Sequence, residues 1–198
     1  MRRFAIWAGL GALALVPVVL AAWSPYLAFR QPVYIIAGFA GIAALALMLF
    51  QPLLAAGLIP GIKPARSRRL HLRLGLALVL LVIIHVGGLW ITSPPDVVDA
   101  LLLVSPTPFS AWGVVAMWAL FGAAFLALLR QRVSPWVWRL SHSALVVIAV
   151  GATLPHAWQI EGTMEVASKA LLMAAVVIAL FWALFRRRVW VMWRSRPQ

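Results

Sequence analysis

The segment HLRLGLALVLLVIIH, residues 71–85, begins and ends on histidine and holds one charged residue between its ends. A second segment, HSALVVIAVGATLPH at residues 142–156, has the same length and the same two end residues. These four histidines are the only ones in the chain. Both segments are apolar enough to cross a membrane, where an ionisable side chain is costly and marks a functional site by default.

Six apolar runs of about 20 residues, enough for an α-helix to cross a bilayer, make up most of the chain. The 198 residues are 65% hydrophobic and only 11% charged, which excludes an ordinary soluble domain. We therefore predict a single all-α membrane domain over residues 1–198, a six-helix bundle without a soluble flavin or nicotinamide domain. The helices are expected near residues 4–23, 33–54, 72–92, 111–129, 136–156 and 166–185.

Three stretches outside the central helices need their own interpretation. PGIKPARSRR, residues 60–69, predicts a basic loop before the third helix. DVVDALLLV, residues 96–104, is too short to span the bilayer and predicts a short helix at the membrane surface. The first apolar run could be a signal peptide, but it is longer than the roughly 7–15 apolar residues of such a segment. We therefore expect it to be a retained helix.

Basic residues are distributed unequally between the two sides of the predicted bundle. If the N-terminus is cytoplasmic, all arginines and lysines except Arg30 and Lys169 fall on the cytoplasmic side. This asymmetry predicts that both termini are cytoplasmic. We expect the membrane to be a bacterial-type inner (plasma) membrane. The net charge of +13 then reflects topology and contact with anionic lipid, because the chain offers no soluble basic surface for nucleic acid.

The histidine spacing predicts two facing pairs. Residues fourteen apart in an α-helix are separated by about 21 Å and lie within about 40° of the same direction. The third and fifth helices run parallel, because one helix lies between them. We therefore expect His71 to face His142 near the cytoplasmic side and His85 to face His156 near the outer side.

Haem iron suits such pairs better than a bare metal ion does. Zinc and copper sites usually need three or four protein ligands, and the chain has no cysteine and no third histidine at either level. Haem iron needs only two axial ligands, and helical bundles commonly hold cofactors between facing helices. The sequence thus predicts two haem b groups, with His71, His85, His142 and His156 as metal ligands and an electron route across the membrane.

Other residues near the histidines have expected supporting roles. Arginines near the cytoplasmic pair are candidates to bind haem propionates, and helix glycines would let a flat macrocycle approach the backbone. The arginines are Arg68, Arg69, Arg73 and Arg139, and the glycines are Gly75, Gly87, Gly88 and Gly151. Hydroxyl groups of Ser141, Ser143 and Thr153 are candidate partners of the ligands, although such groups in helices more often bond their own backbone.

The two stretches RRLHLRLGLALVLLVIIH and WRLSHSALVVIAVGATLPHAW resemble the ferric reductase-like transmembrane domain, the haem-carrying unit of ferric reductases and NADPH oxidases. The resemblance implies that the four histidines are axial ligands and that electrons move from the cytoplasmic haem to the outer one. Full-length members continue into a flavin and nicotinamide domain, and this chain has no glycine-rich dinucleotide fingerprint. A separate flavoprotein or quinone donor is therefore expected, for an electron-transfer component rather than a complete enzyme.

Three alternatives remain at this stage. GFAGIAALALMLFQPL and the fifth helix also resemble the membrane subunit that supplies electrons to a periplasmic methionine sulfoxide reductase, although two histidines stand on the third helix where one is expected. The acceptor would then be that reductase; otherwise it would be a cation such as ferric iron. The acidic side chains of the outer loops could attract such a cation: Asp96, Asp99, Glu161 and Glu165. A small transporter and a structural membrane protein without a cofactor are the other two alternatives.

Overall fold

Helices form nearly all of the backbone in the computed structural model, which describes residues 1–186. Six of these helices are long and apolar enough to cross a membrane, as predicted, and no strand occurs within the described range. The order is α1 (Arg2–Ala22), α2 (Pro32–Ala56), α3 (Pro64–Thr92), α4 (Pro94–Leu101), α5 (Pro108–Leu128), α6 (Pro135–Gln159) and α7 (Val166–Arg186). The predicted cytoplasmic tail residues Arg187, Arg188, Arg194 and Arg196 lie outside the described residues.

Proline begins five of the seven helices, at positions 32, 64, 94, 108 and 135. Its fixed φ suits the first helical residue, where a backbone N–H would have no helical partner. Proline also explains the main difference from the predicted bounds. The basic stretch predicted as a loop over 60–69 is helical from Pro64 onward, because arginine is a good helix former and Pro64 starts the first turn.

The alternating direction of the spans divides the connections between two faces. The basic face carries Arg2, the connection from 57 to 63, the turn from 129 to 134, and Arg186. The acidic face carries the connections from 23 to 31, from 93 to 107, and from 160 to 165, with all four carboxylates. Helix α4 lies in the second of these connections, between the ends of α3 and α5.

Small side chains allow the helices of the bundle to approach closely. Between helices in lipid, packing contacts replace the hydrophobic effect as the main attraction, so small residues are favoured at their interfaces. A Cβ added to Gly88 on α3 would lie 2.8 Å from the Cβ of Ala37 on α2, so this contact requires glycine. Leu49 of α2 and Leu172 and Val176 of α7 are fully buried at the centre.

Large apolar side chains cover the outside of the bundle. On α3, Leu72, Leu76, Leu80 and Ile83 recur at intervals of three or four residues and are all at least half exposed within the chain. Such a stripe would be costly in water and is suited to lipid acyl chains. The protein is therefore a multi-pass integral membrane protein.

Candidate haem-binding site

The structure brings the four histidines together as two pairs between α3 and α6. The ring centres of His71 and His142, the basic-face pair, are 6.5 Å apart, with ring planes inclined by 75°. The ring centres of His85 and His156, the acidic-face pair, are 6.3 Å apart, with planes inclined by 80°. The role of these rings as haem ligands stays a prediction, and their geometry decides what they could hold.

A backbone carbonyl on the neighbouring helix orients each ring. On α2, the carbonyl of Gln51 lies 3.1 Å from Nδ1 of His71, and that of Ala37 lies 2.8 Å from Nδ1 of His85. Because a carbonyl oxygen can only accept, Nδ1 carries the proton and donates it in both bonds. Nε2 is then the unprotonated nitrogen, which is the form that binds a metal.

Helix α5 supports the histidines of α6 in the same way. Nδ1 of His142 donates to the carbonyl of Ala123 at 3.2 Å, and Nδ1 of His156 donates to the carbonyl of Phe109 at 2.8 Å. The two acceptors are fourteen residues apart, as Ala37 and Gln51 are on α2. The spacing of the histidines is thus repeated in the helices whose carbonyls orient them.

A small residue stands four positions after each of the four carbonyls. A helical side chain lies over the turn that precedes it, so a large residue there would cover the carbonyl four positions earlier. The positions hold glycine at the acidic-face pair, where a Cβ at Gly41 would lie 2.9 Å from Nδ1 of His85. A Cβ at Gly113 would lie 2.7 Å from Nδ1 and Cε1 of His156. At the basic-face pair they hold Ala55 and Ala127.

The hairpins α2–α3 and α5–α6 are therefore a structural repeat. Each acceptor of the second hairpin follows its counterpart by 72 positions, and each histidine follows its counterpart by 71. A third bond obeys the same offsets: Oγ of Ser67 donates to the carbonyl of Leu54 at 2.7 Å, and Nε1 of Trp138 donates to the carbonyl of Leu126 at 3.1 Å. Parallel repeats are common in membrane folds.

Trp138 differs most from its counterpart in the other hairpin. Its indole stacks on the ring of His142, with ring centres 5.1 Å apart and planes inclined by 10°. The guanidinium of the exposed Arg130 lies 5.1 Å above the indole. Ser67, the counterpart, makes the equivalent bond to backbone without contributing a ring, so the surroundings of His71 and His142 differ.

The ring separations fit a metal ion held between two imidazoles. A metal–nitrogen bond of about 2.0 Å, with about 1.1 Å from nitrogen to ring centre, places two opposed rings about 6.2 Å apart. Within the described residues, no group of three or more histidine, cysteine, aspartate or glutamate side chains could hold a metal ion. Two ligands at this separation suit a group such as haem that supplies the remaining ligands itself.

The arginines predicted to bind propionates lie on different sides of their helices. At about 100° per residue, Arg68 and Arg139, each three positions before a histidine, point within about 60° of that histidine. Arg69 and Arg73, two positions from His71, point about 160° away from it. All four side chains are exposed. The helical register thus favours Arg68 and Arg139, and the binding role of Arg69, Arg73 and Arg139 stays a prediction.

The glycines that contact the histidines are not those singled out in the sequence. A Cβ at Gly87 or Gly151 would meet nothing within 4 Å, and one at Gly75 would meet only Nε2 of Gln51, at 3.7 Å. Gly88 serves the contact between α2 and α3. The Oγ1 of Thr153 donates to the carbonyl of Ala149 in its own helix, at 2.7 Å.

Sequence reasoning missed Gly41 and Gly113, because glycine is common in membrane helices and their partners lie on other helices. The one available signal was weak: the two glycines stand 72 positions apart, close to the offset that relates the histidine segments. The carbonyl acceptors leave no signal in the sequence, since every residue has one.

A sequence model described as the ferric reductase like transmembrane component matches residues 37–153, more than half of the chain. The match contains the acceptors Ala37 and Gln51 and three of the four histidines, and it ends three residues before His156. No match is found among curated proteins or among solved structures. The chain belongs to the ferric reductase-like transmembrane component family, whose membership indicates a membrane component of electron transfer.

Proposed function

We propose that this member of the ferric reductase-like family is a b-type cytochrome that carries electrons across the membrane through two haems. His71 and His142 would bind one haem near the basic face, and His85 and His156 would bind the other near the acidic face. The observation that carries the proposal is the duplicated ligand geometry. Two pairs of rings have nearly equal separations, and all four rings are oriented by backbone carbonyls.

The protein would act on its cofactor mainly by fixing the ligands. Each Nδ1–H···O bond selects the tautomer with Nε2 unprotonated and raises the basicity of the ring, as the partners of metal-bound histidines commonly do. Haem would supply a one-electron couple at its iron. A haem held by two of these histidines would have no free coordination position, so a substrate would receive its electron at the edge of the site without binding to the iron.

The distribution of charge supports a direction and a set of partners. With the basic face cytoplasmic, as the positive-inside rule favours, the donor would be a flavoprotein on that side or a quinone in the membrane. The acceptor would lie on the outer side, as ferric iron or a periplasmic reductase. Arg68 and Arg139 are the arginines best placed by helical register to pair with propionates at the basic-face pair.

The two-haem function is favoured over a subunit that uses only one pair. The alternative, an electron supplier for a periplasmic methionine sulfoxide reductase, rests on similarity in two helices and was expected to have one histidine on the third. Here both levels have paired rings, carbonyl acceptors and a small residue four positions after each acceptor. If only one pair held haem, the carbonyl bonds and small residues at the other pair would have no role.

Haem stoichiometry in single-histidine variants tests the proposal. Pyridine haemochrome analysis of protein purified from haem-replete cells should give two haems per chain. His71→Ala and His85→Ala should each give one, with different residual spectra. Thr153→Ala is the matched control, because its hydroxyl bonds only within α6, and it should keep two. One haem in the unaltered protein would refute the two-haem function, and none would refute the cytochrome assignment.

A further inference from the structure

Lys169 is a buried cation at the acidic face. It stands near the start of α7, and its side chain is only 5% exposed. Its Nζ lies 3.2 Å from the carbonyl of Ala157, 3.4 Å from that of Trp158 and 3.0 Å from that of Ile160. A neutral amine has two N–H groups and an ammonium has three, so three carbonyl acceptors suit the charged form.

The carbonyls of Ala157 and Trp158 belong to the last turn of α6, directly after His156, and Ile160 is the first residue beyond that helix. The last carbonyls of a helix lack helical partners and carry partial negative charge, which a cation stabilises. Lys169, on α7 and outside the repeat, thus stabilises the end of α6. It also places a positive charge beside the carbonyl of Ala157, the residue that follows His156.

The other ligand helix ends differently. At the end of α3, Oγ1 of Thr92 donates to the carbonyls of Gly88 and Leu89, at 3.1 and 3.3 Å. This neutral hydroxyl bonds its own helix, so the end of α3 receives no charge in this way. The repeat therefore provides an internal comparison: a lysine of α7 donates to carbonyls at the end of α6, whereas a hydroxyl of α3 donates to carbonyls near the end of its own helix.

Burial distinguishes Lys169 from the arginines near the basic-face pair. Arg68, Arg69, Arg73 and Arg139 near the basic-face pair are exposed, so water and counterions screen them. A buried charge is screened much less and acts over several ångströms with an effective dielectric constant of about 20. Glu161 carries an opposite charge that acts on Lys169. Because Glu161 is exposed, water and counterions screen its charge.

We propose that Lys169 is a positioning residue that raises the reduction potential of the acidic-face site relative to the basic-face site. A positive charge stabilises the reduced state of nearby iron. The inference rests on the proposed function. The step would be the transfer of one electron from the site of His71 and His142 to the site of His85 and His156. No bond or proton would change, and a reduced flavin or quinol on the basic face would replace the electron.

Redox titration of the purified two-haem protein tests the inference, with low-temperature EPR to follow each ferric site. Lys169→Gln keeps a hydrogen-bond donor but removes the charge, Lys169→Met removes both, and Lys169→Arg keeps the charge. The neutral variants should lower the equilibrium constant for transfer toward the acidic-face site about tenfold, equal to about 59 mV between the two one-electron couples. Lys169→Arg should stay near the original value.

The exposed cation Arg30, on the same face, provides the matched control, and Arg30→Gln should leave both potentials unchanged. If Lys169→Met does not fold, Lys169→Gln carries the test. Unchanged potentials in the neutral variants, or equal shifts at both sites, would overturn the inference. An altered EPR signal of the acidic-face site in Lys169→Gln would also overturn it, because that change would indicate displaced ligands. Fewer than two haems in the unaltered protein would instead refute the proposed function.

Discussion

Replacing Gly41 with alanine should weaken haem binding at the acidic-face pair alone. The new Cβ would lie 2.9 Å from Nδ1 of His85 and 3.1 Å from its Cε1. Unbonded carbon atoms pack best at about 3.5–4.0 Å, so the ring would have to move by about 0.5–1 Å. That displacement is enough to lengthen the 2.8 Å bond from Nδ1 to the carbonyl of Ala37.

The expected magnitude follows from the loss of ligand orientation. Loss of the hydrogen-bonding partner of a metal-bound histidine typically costs about 10–100-fold in metal affinity. We expect a loss in this range at the acidic-face site, with no change at the basic-face site, whose nearest support on α2 is the carbonyl of Gln51. The variant should still fold, because alanine is a better helix former than glycine.

The measurement is the rate of haem loss to an excess of apomyoglobin, followed at the Soret band, together with haem stoichiometry. Gly38→Ala is the matched control, because a Cβ at that position on the same helix would meet nothing within 4 Å. Gly41→Ala should lose one haem faster, and Gly38→Ala should behave like the unaltered protein. Equal loss rates in the two variants would refute the steric reasoning, and equal loss from both sites would refute the assignment of Gly41 to one of them.

Three further predictions concern other contacts of the same helices. Gly113→Ala should also release the acidic-face haem faster, and with a larger effect, because its Cβ would lie 2.7 Å from the ring of His156. Ser67→Ala should lower the free energy of unfolding in detergent by about 1 kcal/mol, since it removes the buried bond to the carbonyl of Leu54; no change in the unfolding midpoint would contradict this. Two N–H groups at the start of α7 lower the pKa of Glu165 below its usual 4.5. The carboxylate therefore stabilises the fold above pH 4.5, and this stabilisation is lost as the pH falls through the lowered pKa. The stability difference between the protein and Glu165→Gln should therefore shrink on acidification, and a constant difference would contradict the assignment.

The six spans were predictable because they depend on one property, the length of an uninterrupted apolar run. The start of α3 was not, because residues 64–71 are polar and helical at once, and only the apolar part of that helix was counted. In a membrane protein a helix can extend beyond the hydrocarbon region wherever its residues have good helix propensity. Hydropathy therefore marks the spanning part of a helix and underestimates its full length.

For the site, only the features that depend on the identity and spacing of side chains could be predicted from the sequence. Equal histidine spacing indicated one direction for each helix and hence two levels. The ring tautomers and orientations depend on carbonyls of α2 and α5, and the room for the rings depends on Gly41 and Gly113. These features are set by which helices become neighbours, and no pattern within a single segment encodes that choice.

The repeat explains why two levels arise together and how they can differ. One hairpin design, with two histidines on one helix and two accessible carbonyls on its neighbour, generates both sites when a second parallel copy faces the first. Where the two hairpins or their neighbours differ, the difference affects only one of the two sites. The acidic-face histidines make the shorter bonds to carbonyls, 2.8 Å against 3.1 and 3.2 Å. In the proposed cytochrome these bonds would make the acidic-face histidines the more basic ligands, which would stabilise oxidised iron. Lys169 would oppose that effect at the same site, so the direction of transfer would depend on the balance between ligand basicity and one buried charge.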